Sequence, residues 1–129
     1  EALKNNNVKH AYIVHSDDGM DEISPFDKTN IVELKDNEIF EFTIDPNELG
    51  IKSSNKNNLI GKNALYNSLK IIEIFKGKSN EFSNAVALNA AAGLIVSGSE
   101  LDFKKAFVKA SNQLSSGNVF HHLSKLQKI

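Results

Sequence analysis

The stretch Ala11-Tyr12-Ile13-Val14-His15-Ser16-Asp17-Asp18-Gly19-Met20-Asp21-Glu22-Ile23-Ser24 decides how the rest of the chain is read. An apolar run, Ala11 to Val14, enters a turn that carries four carboxylates within six positions: Asp17, Asp18, Asp21 and Glu22. Pro25 keeps Ser24 out of helical geometry, and a second β-like run begins at Thr29. Loops at the ends of strands are where open α/β sheets bind ligands. Clustered carboxylates repel one another unless water, a cation or a basic partner sits among them. A solvated surface turn is the plain alternative, since charged turn residues are common on protein surfaces.

Working outward, Val8 to His15 reads as a strand, and its continuous apolar second half suits a strand covered on both faces. Before it, Glu1-Ala2-Leu3-Lys4 reads as the tail of a helix ended by Asn5-Asn6-Asn7. After the acidic turn, Thr29–Lys35 and Glu38–Ile44 flank Asp36-Asn37, two residues that tolerate positive φ, so a β-hairpin is expected. Asp45 then caps a short helical turn with Pro46 at its first position, and Gly50 ends it. Ser53 to Asn58 is polar and asparagine-rich and reads as a mobile loop.

The remainder reads as helices. Asn63 to Phe75 places Leu65, Leu69, Ile72 and Phe75 at helical spacing, and Gly77 closes it. Ser79 is the expected cap of the next helix, which runs to about Ser97. Its segment Ala85 to Val96 is apolar apart from Asn89. That is short of the roughly 20 residues needed to span a bilayer, so it is expected to be a central helix buried on most sides. Its alanines and Gly93 are expected to let neighbouring backbones approach. Ser99-Glu100-Leu101-Asp102 resembles a capping box ahead of a helix from Leu101 to about Leu114, with Phe103, Ala106, Phe107 and Ala110 inward. Asn118 is expected to cap a last helix with the stripe Val119, Leu123 and Leu126. The expected architecture is a single domain over residues 1–129, α/β or α+β, in which a small mixed sheet with a β-hairpin is covered by helices. Few strands and a first residue, Glu1, that is not methionine lead us to expect a piece of a longer protein.

Composition narrows the chemistry. The chain has 129 residues, 40% of them hydrophobic and 24% charged, with a formal net charge of −1. Nothing in that balance points to nucleic acid or to an anionic membrane. There is no cysteine, hence no disulfide and no thiolate chemistry. All 15 basic residues are lysines, so no bidentate guanidinium clamp can come from this chain. No P-loop, dinucleotide glycine motif or Gly-x-Ser-x-Gly is present. His121 and His122 are adjacent and point to different helix faces, and they are given no role. His15 could be a base or a ligand, though a satisfied structural histidine is the commoner case. Asn89 in its apolar helix needs a hydrogen-bond partner, because an unpaired buried amide costs roughly 1–3 kcal/mol. Asn67 is the other notable polar residue. The acidic turn lacks the alternating oxygens of a Ca²⁺ loop. What remains is a hard-cation site at Asp21 and Glu22, of the kind that suits Mg²⁺ with water or phosphate supplying the other ligands.

With these stretches in place, the chain resembles the C-terminal part of the anthranilate phosphoribosyltransferase family over nearly its whole length. Val14-His15-Ser16 followed by Gly19-Met20-Asp21-Glu22-Ile23-Ser24 is similar to that family's V-H-G then G-L-D-E-I-S. Thr29-Asn30-Ile31-Val32-Glu33-Leu34, Ile44-Asp45-Pro46-Asn47-Glu48-Leu49-Gly50, Ala85-Val86-Ala87-Leu88-Asn89-Ala90-Ala91-Ala92-Gly93-Leu94, and the Ser116-Gly117 and Leu123–Leu126 tail follow in the family's order. Ser16 stands where the family usually has glycine, and Ile60-Gly61-Lys62-Asn63 where it has Gly-Gly-Asp-Ala. The resemblance implies a phosphoribosyltransferase-type catalytic domain that joins anthranilate to phosphoribosyl pyrophosphate in tryptophan biosynthesis, releasing pyrophosphate. It implies Mg²⁺ held by Asp21 and Glu22. It also implies a cytoplasmic homodimer whose dimer helices, glycine-rich phosphate loop, Lys-His-Gly-Asn stretch and anthranilate-contacting arginine all lie upstream. No substrate-binding residue is expected within the chain, no catalytic group is assigned, and the 129 residues alone are expected to be inactive. A related nucleoside phosphorylase and a non-catalytic α/β interaction module are the alternatives.

Overall fold

The computed structural model describes residues 1–52 and 55–127. Its β-hairpin forms where two residues accept positive φ. Asp36 and Asn37 sit at φ 48° and 70°, the geometry of a tight turn whose twist matches the flanking strands. That turn joins β2 (Thr29–Lys35) to β3 (Glu38–Ile44) in the register Lys35 to Glu38 through Thr29 to Ile44. β1 (His10–Ser16) pairs along the other edge of β2, from Ser16 opposite Thr29 to His10 opposite Lys35. The sheet order is β1-β2-β3.

Both pairings are antiparallel, where a mixed sheet was expected. A parallel pair needs a long crossover, usually a helix. Residues 17–28 contain no helix and simply turn back. β1 is likewise not covered on both faces: Tyr12 and Val14 pack against the core, while Ile13 is 49% exposed. Register puts Val14, Ile31 and Phe42 on one face and Ile13, Val32 and Glu41 on the other, so period-two alternation overrides the continuous apolar run.

Asp45 accepts a hydrogen bond from the Asn47 N–H at 2.9 Å and caps a 3₁₀ turn, Pro46–Leu49, which Gly50 closes at φ 79°. A second 3₁₀ turn spans Lys56–Leu59 and overlaps the stretch from Ser53 to Asn58 whose sequence reads as a mobile loop; Ser53 and Ser54 of that stretch lie outside the described residues. The helices are α1 (Ala2–Asn5), α2 (Ala64–Phe75), α3 (Glu81–Val96), α4 (Phe103–Ser115) and α5 (Asn118–Leu126). None of the described helices is long and apolar enough to cross a membrane.

Three caps fall one to three residues from where sequence placed them. Asn80, not Ser79, caps α3: its side chain accepts from the Ser83 N–H while the Ser83 hydroxyl accepts from the Asn80 N–H, a reciprocal box. Asp102 is itself the cap of α4, accepting from the Lys105 N–H at 2.7 Å. Glu100 instead accepts from the Leu101 N–H in the preceding turn. At α5 the cap position is Gly117 at φ 74°, and Asn118 is the first helical residue. Serine, aspartate and asparagine crowd each boundary, so composition locates the boundary and not the capping atom.

The core gathers around α3. Ala87, Leu88 and Ala91 are buried with Ile95, against Ala106, Phe107, Ala110 and Leu114 of α4 and against Ile23, Ile31, Ile44 and Ile51. This confirms the inward face expected of α4. α3 is less enclosed than expected: Val86, Ala90 and Gly93 face outward, and a Cβ added at Gly93 would meet nothing within 4 Å. The glycine that does permit close approach is Gly77, where a Cβ would come within 2.7 Å of the Ser115 carbonyl. On α2 the buried residue is Ile74, and Leu65 and Leu69 are 69% and 53% exposed.

Candidate functional site

The acidic turn leaves β1 at Ser16, whose side chain is wholly buried. The Gly19 N–H donates to the Ser16 carbonyl at 3.0 Å, and the Ser16 N–H donates to the Met20 carbonyl at 3.1 Å. Gly19 takes φ 89° to make this reversal, a conformation that favours glycine. At the far side, the Asp17 N–H donates to the Lys28 carbonyl at 2.9 Å.

The four carboxylates divide into two kinds. Asp17 accepts from the Asn30 amide at 2.8 Å. Asp18 is turned inward with its side chain only 1% exposed. It accepts from the Ser24 hydroxyl at 2.8 Å and the Met20 N–H at 3.2 Å, and the Lys56 ammonium lies 3.4 Å away. Burial would raise its pKa, but the hydrogen bonds from Ser24, Ser16, Met20 and Lys56 outweigh burial and hold it below the usual carboxylate range. These two acids are structural.

Asp21 and Glu22 are exposed and their strongest electrostatic partner is each other. A hydrogen bond shared with Asp21, then burial, then the Asp21 charge push the Glu22 carboxyl up. Accepting that same hydrogen bond, in turn, lowers Asp21. Like charges this close oppose each other's ionisation, an opposition that a cation between them would relieve. Beside the pair lies a groove of about 410 Å³ whose walls include Met20, Glu22, Leu59, Phe82 and Asn89. Among the described residues no group of three or more histidine, aspartate or glutamate side chains could hold a metal ion. A cation here would therefore have two protein carboxylates and take its other ligands from water or substrate. That fits Mg²⁺, which keeps several waters and uses one or two carboxylates plus phosphate oxygens.

Asn89 connects the turn to α3. Its Oδ1 accepts from the Ile23 N–H at 3.0 Å, and its Nδ2 donates to the Ile23 carbonyl at 3.1 Å and the Ala85 carbonyl at 2.9 Å. The partner that sequence demanded for this amide is thus the acidic turn itself. The His15 side chain is exposed and its ring makes no hydrogen bond among the described residues, so it is not the satisfied structural histidine that was the commoner expectation. Asn67 accepts from the Lys62 N–H at 2.9 Å and closes the entry to α2. His121 and His122 lie exposed on α5. Sequence reasoning missed the inward turn of Asp18 and its Lys56 partner; the signal present was an aspartate two residues before Met20, the spacing of an Asx-turn.

A small sheet packed on helices, with a carboxylate pair offered from the loop after its first strand, defines the class: the chain belongs to the glycosyl transferase family, a/b domain, whose pattern matches residues 1–120. Within that class it is similar to anthranilate phosphoribosyltransferases. It is 48% identical over 128 residues to the one from Pelagibacter ubique, covering 99% of this chain and 39% of that protein. It is 39% identical over 134 residues to the one from Acinetobacter baumannii strain SDF, covering 100% and 38%. The crystal structure of anthranilate phosphoribosyltransferase from Thermus thermophilus superposes with a TM-score of 0.80 at 26% identity, over 90% of this chain and 34% of that one. The Saccharomyces cerevisiae enzyme in complex with phosphoribosyl pyrophosphate and Mg gives 0.79 at 22% identity, over 92% and 34%, a likeness of fold. The chain spans under two fifths of the length of the relatives it matches, at most 39% of either protein.

Proposed function

We propose that this chain is the C-terminal part of the catalytic α/β domain of an anthranilate phosphoribosyltransferase, and that Asp21 and Glu22 are its Mg²⁺ ligands. The observation that carries the reading is the division of the acidic turn: two carboxylates are consumed in holding it, and two adjacent ones are left exposed. The reaction joins the anthranilate amine to the ribose carbon of phosphoribosyl pyrophosphate and releases pyrophosphate, a step of tryptophan biosynthesis. When bound, Mg²⁺ neutralises charge that builds on the leaving pyrophosphate. Asp21 and Glu22 would hold the cation from the protein side. The turn, braced from β1, β2 and α3, keeps Glu22 at the edge of the groove and Asp21 next to it in the chain.

The groups that hold the donor's phosphates and the anthranilate carboxylate belong to other parts of the enzyme. A donor with several negative charges needs N–H cradles and cationic side chains, and a turn of unpaired carboxylates repels it without a cation. The chain by itself is therefore inactive in this proposal. The whole enzyme is a cytoplasmic homodimer, with the dimer helices outside this chain. The experiment is to follow loss of anthranilate fluorescence by the full-length enzyme that carries this chain. Turnover that needs both phosphoribosyl pyrophosphate and Mg²⁺ is expected. Absence of that turnover, with phosphate-dependent cleavage of nucleosides in its place, would assign the chain to a phosphorylase instead.

A further inference from the structure

Asp21 and Glu22 are exposed, yet the main chain on either side of them is fully engaged. Met20 uses both groups: its N–H donates to Asp18 Oδ1 and its carbonyl accepts from the Ser16 N–H. Ile23 uses both as well, and both go to one side chain, Asn89. The Ser24 N–H donates to the Thr29 hydroxyl at 3.1 Å. The Ile23 side chain is wholly buried in the core, so the residue after the pair is fixed by packing and by two hydrogen bonds.

Asn89 lies 66 positions away from Ile23 in sequence, in the middle of an otherwise apolar helix segment. The orientation of its amide is set by its partners: an N–H of Ile23 requires the oxygen, and two carbonyls require the nitrogen. Neither an aliphatic residue nor an aspartate could serve all three partners. Asn89 also borders the same groove as Glu22.

Resting on the reading of Asp21 and Glu22 as the cation-binding pair, we propose that Asn89 is a positioning residue for that site. By clamping both main-chain groups of Ile23, it fixes where Glu22, and Asp21 before it, stand relative to the groove beside α3. It acts through Ile23 and touches neither the cation nor the reacting atoms. Groups that orient metal ligands from behind are worth roughly 10–100-fold in metal affinity.

The test uses the full-length enzyme with Asn89→Ala and Asn89→Ser, beside Asp21→Ala and Glu22→Ala. Mn²⁺ binding in the presence of pyrophosphate, followed by electron paramagnetic resonance, is expected to weaken about 10–100-fold in both Asn89 variants. The Mg²⁺ needed for half-maximal turnover should rise by a similar factor, with KM for anthranilate at saturating Mg²⁺ unchanged. Hydrogen exchange at the Ile23 amide should accelerate while the amides of α3 keep their protection. Wild-type Mn²⁺ affinity in the Asn89 variants, with affinity lost in Asp21→Ala and Glu22→Ala, would overturn the role of Asn89 and leave the pair standing. Wild-type affinity in all four variants would overturn the pair's assignment and the positioning role with it. Protection lost from α3 together with Ile23 would make Asn89 a residue of the fold alone, and also overturns the proposal.

Discussion

The turn at Asp36–Asn37 and the turn between Ser16 and Thr29 flank the same strand, β2, and are held by different means. The first is local. Two residues adopt positive φ, the strands pair immediately on either side, and no distant side chain is needed. The second is long. It is closed by Asp18, braced by Ser16 and Thr29, and pinned from α3 by Asn89. The local turn carries a single acid, Asp36, among its two residues. The long turn can leave two carboxylates free because others do the holding. A loop that is to carry exposed like charges at a fixed place needs its support elsewhere.

Each half of that contrast can be broken separately. The largest effect is expected at the free acids. Asp21→Ala or Glu22→Ala in the full-length enzyme should lower turnover by orders of magnitude and leave the circular dichroism spectrum and Tm close to those of the parent, because neither side chain braces the turn. Next comes Asp18→Ala, which leaves the Met20 N–H and the Ser24 hydroxyl without their acceptor. It should lower stability by about 1–3 kcal/mol by urea unfolding and reduce turnover through the displaced pair.

The hairpin tip gives the opposite pattern. Asn37→Val forces a β-branched side chain to positive φ and should cost about 1–2 kcal/mol, with turnover per folded molecule unchanged. Asn37→Gly should stabilise the protein by a few tenths of a kcal/mol, about 0.5 kcal/mol at most, again without effect on turnover. A variant at this tip that altered Mg²⁺ dependence would break the contrast.

The acidic turn should also respond to pH in a defined direction. The folded-state pKa of Asp18 is depressed by its hydrogen bonds against the opposing effect of burial. Its contribution to stability is therefore present above the unfolded aspartate pKa and is lost as pH falls through the lower folded value. The gap in Tm between the parent and Asp18→Asn should be widest near neutrality and close as the carboxyl is protonated. A gap that widened on acidification would contradict the bracing role.

What was legible in sequence follows the same division. The hairpin, with the capped turn from Asp45 to Gly50, could be read because residues a few positions apart determine each. The inward face of α4 could be read because a helix repeats itself. The exposure of Ile13 and Leu65 could not, because an apolar run or stripe does not say what stands opposite it. The turn between Ser16 and Thr29 was legible, but which strand β1 pairs with, and hence its antiparallel direction, was not. At the site, the cluster of acids in a turn was legible, and the proposed cation role of Asp21 and Glu22 rests on that reading and on resemblance. The need of Asn89 for a partner was legible too, but its partner, Ile23, was not. Nor was the inward turn of Asp18, which sets two of the four acids apart from the pair.

The most direct measurement is to locate the cation. Mn²⁺ replaces Mg²⁺ at oxygen ligands and broadens the resonances of nuclei near it. In the isotopically labelled full-length enzyme with pyrophosphate present, substoichiometric Mn²⁺ should first broaden the amides of Met20, Asp21, Glu22 and Ile23. Those of Asp36 and Asn37 at the hairpin tip should stay sharp. Uniform broadening of both turns, or sharp Asp21 and Glu22 signals under conditions where Mn²⁺ supports turnover, would contradict the claim that the acidic turn holds the cation.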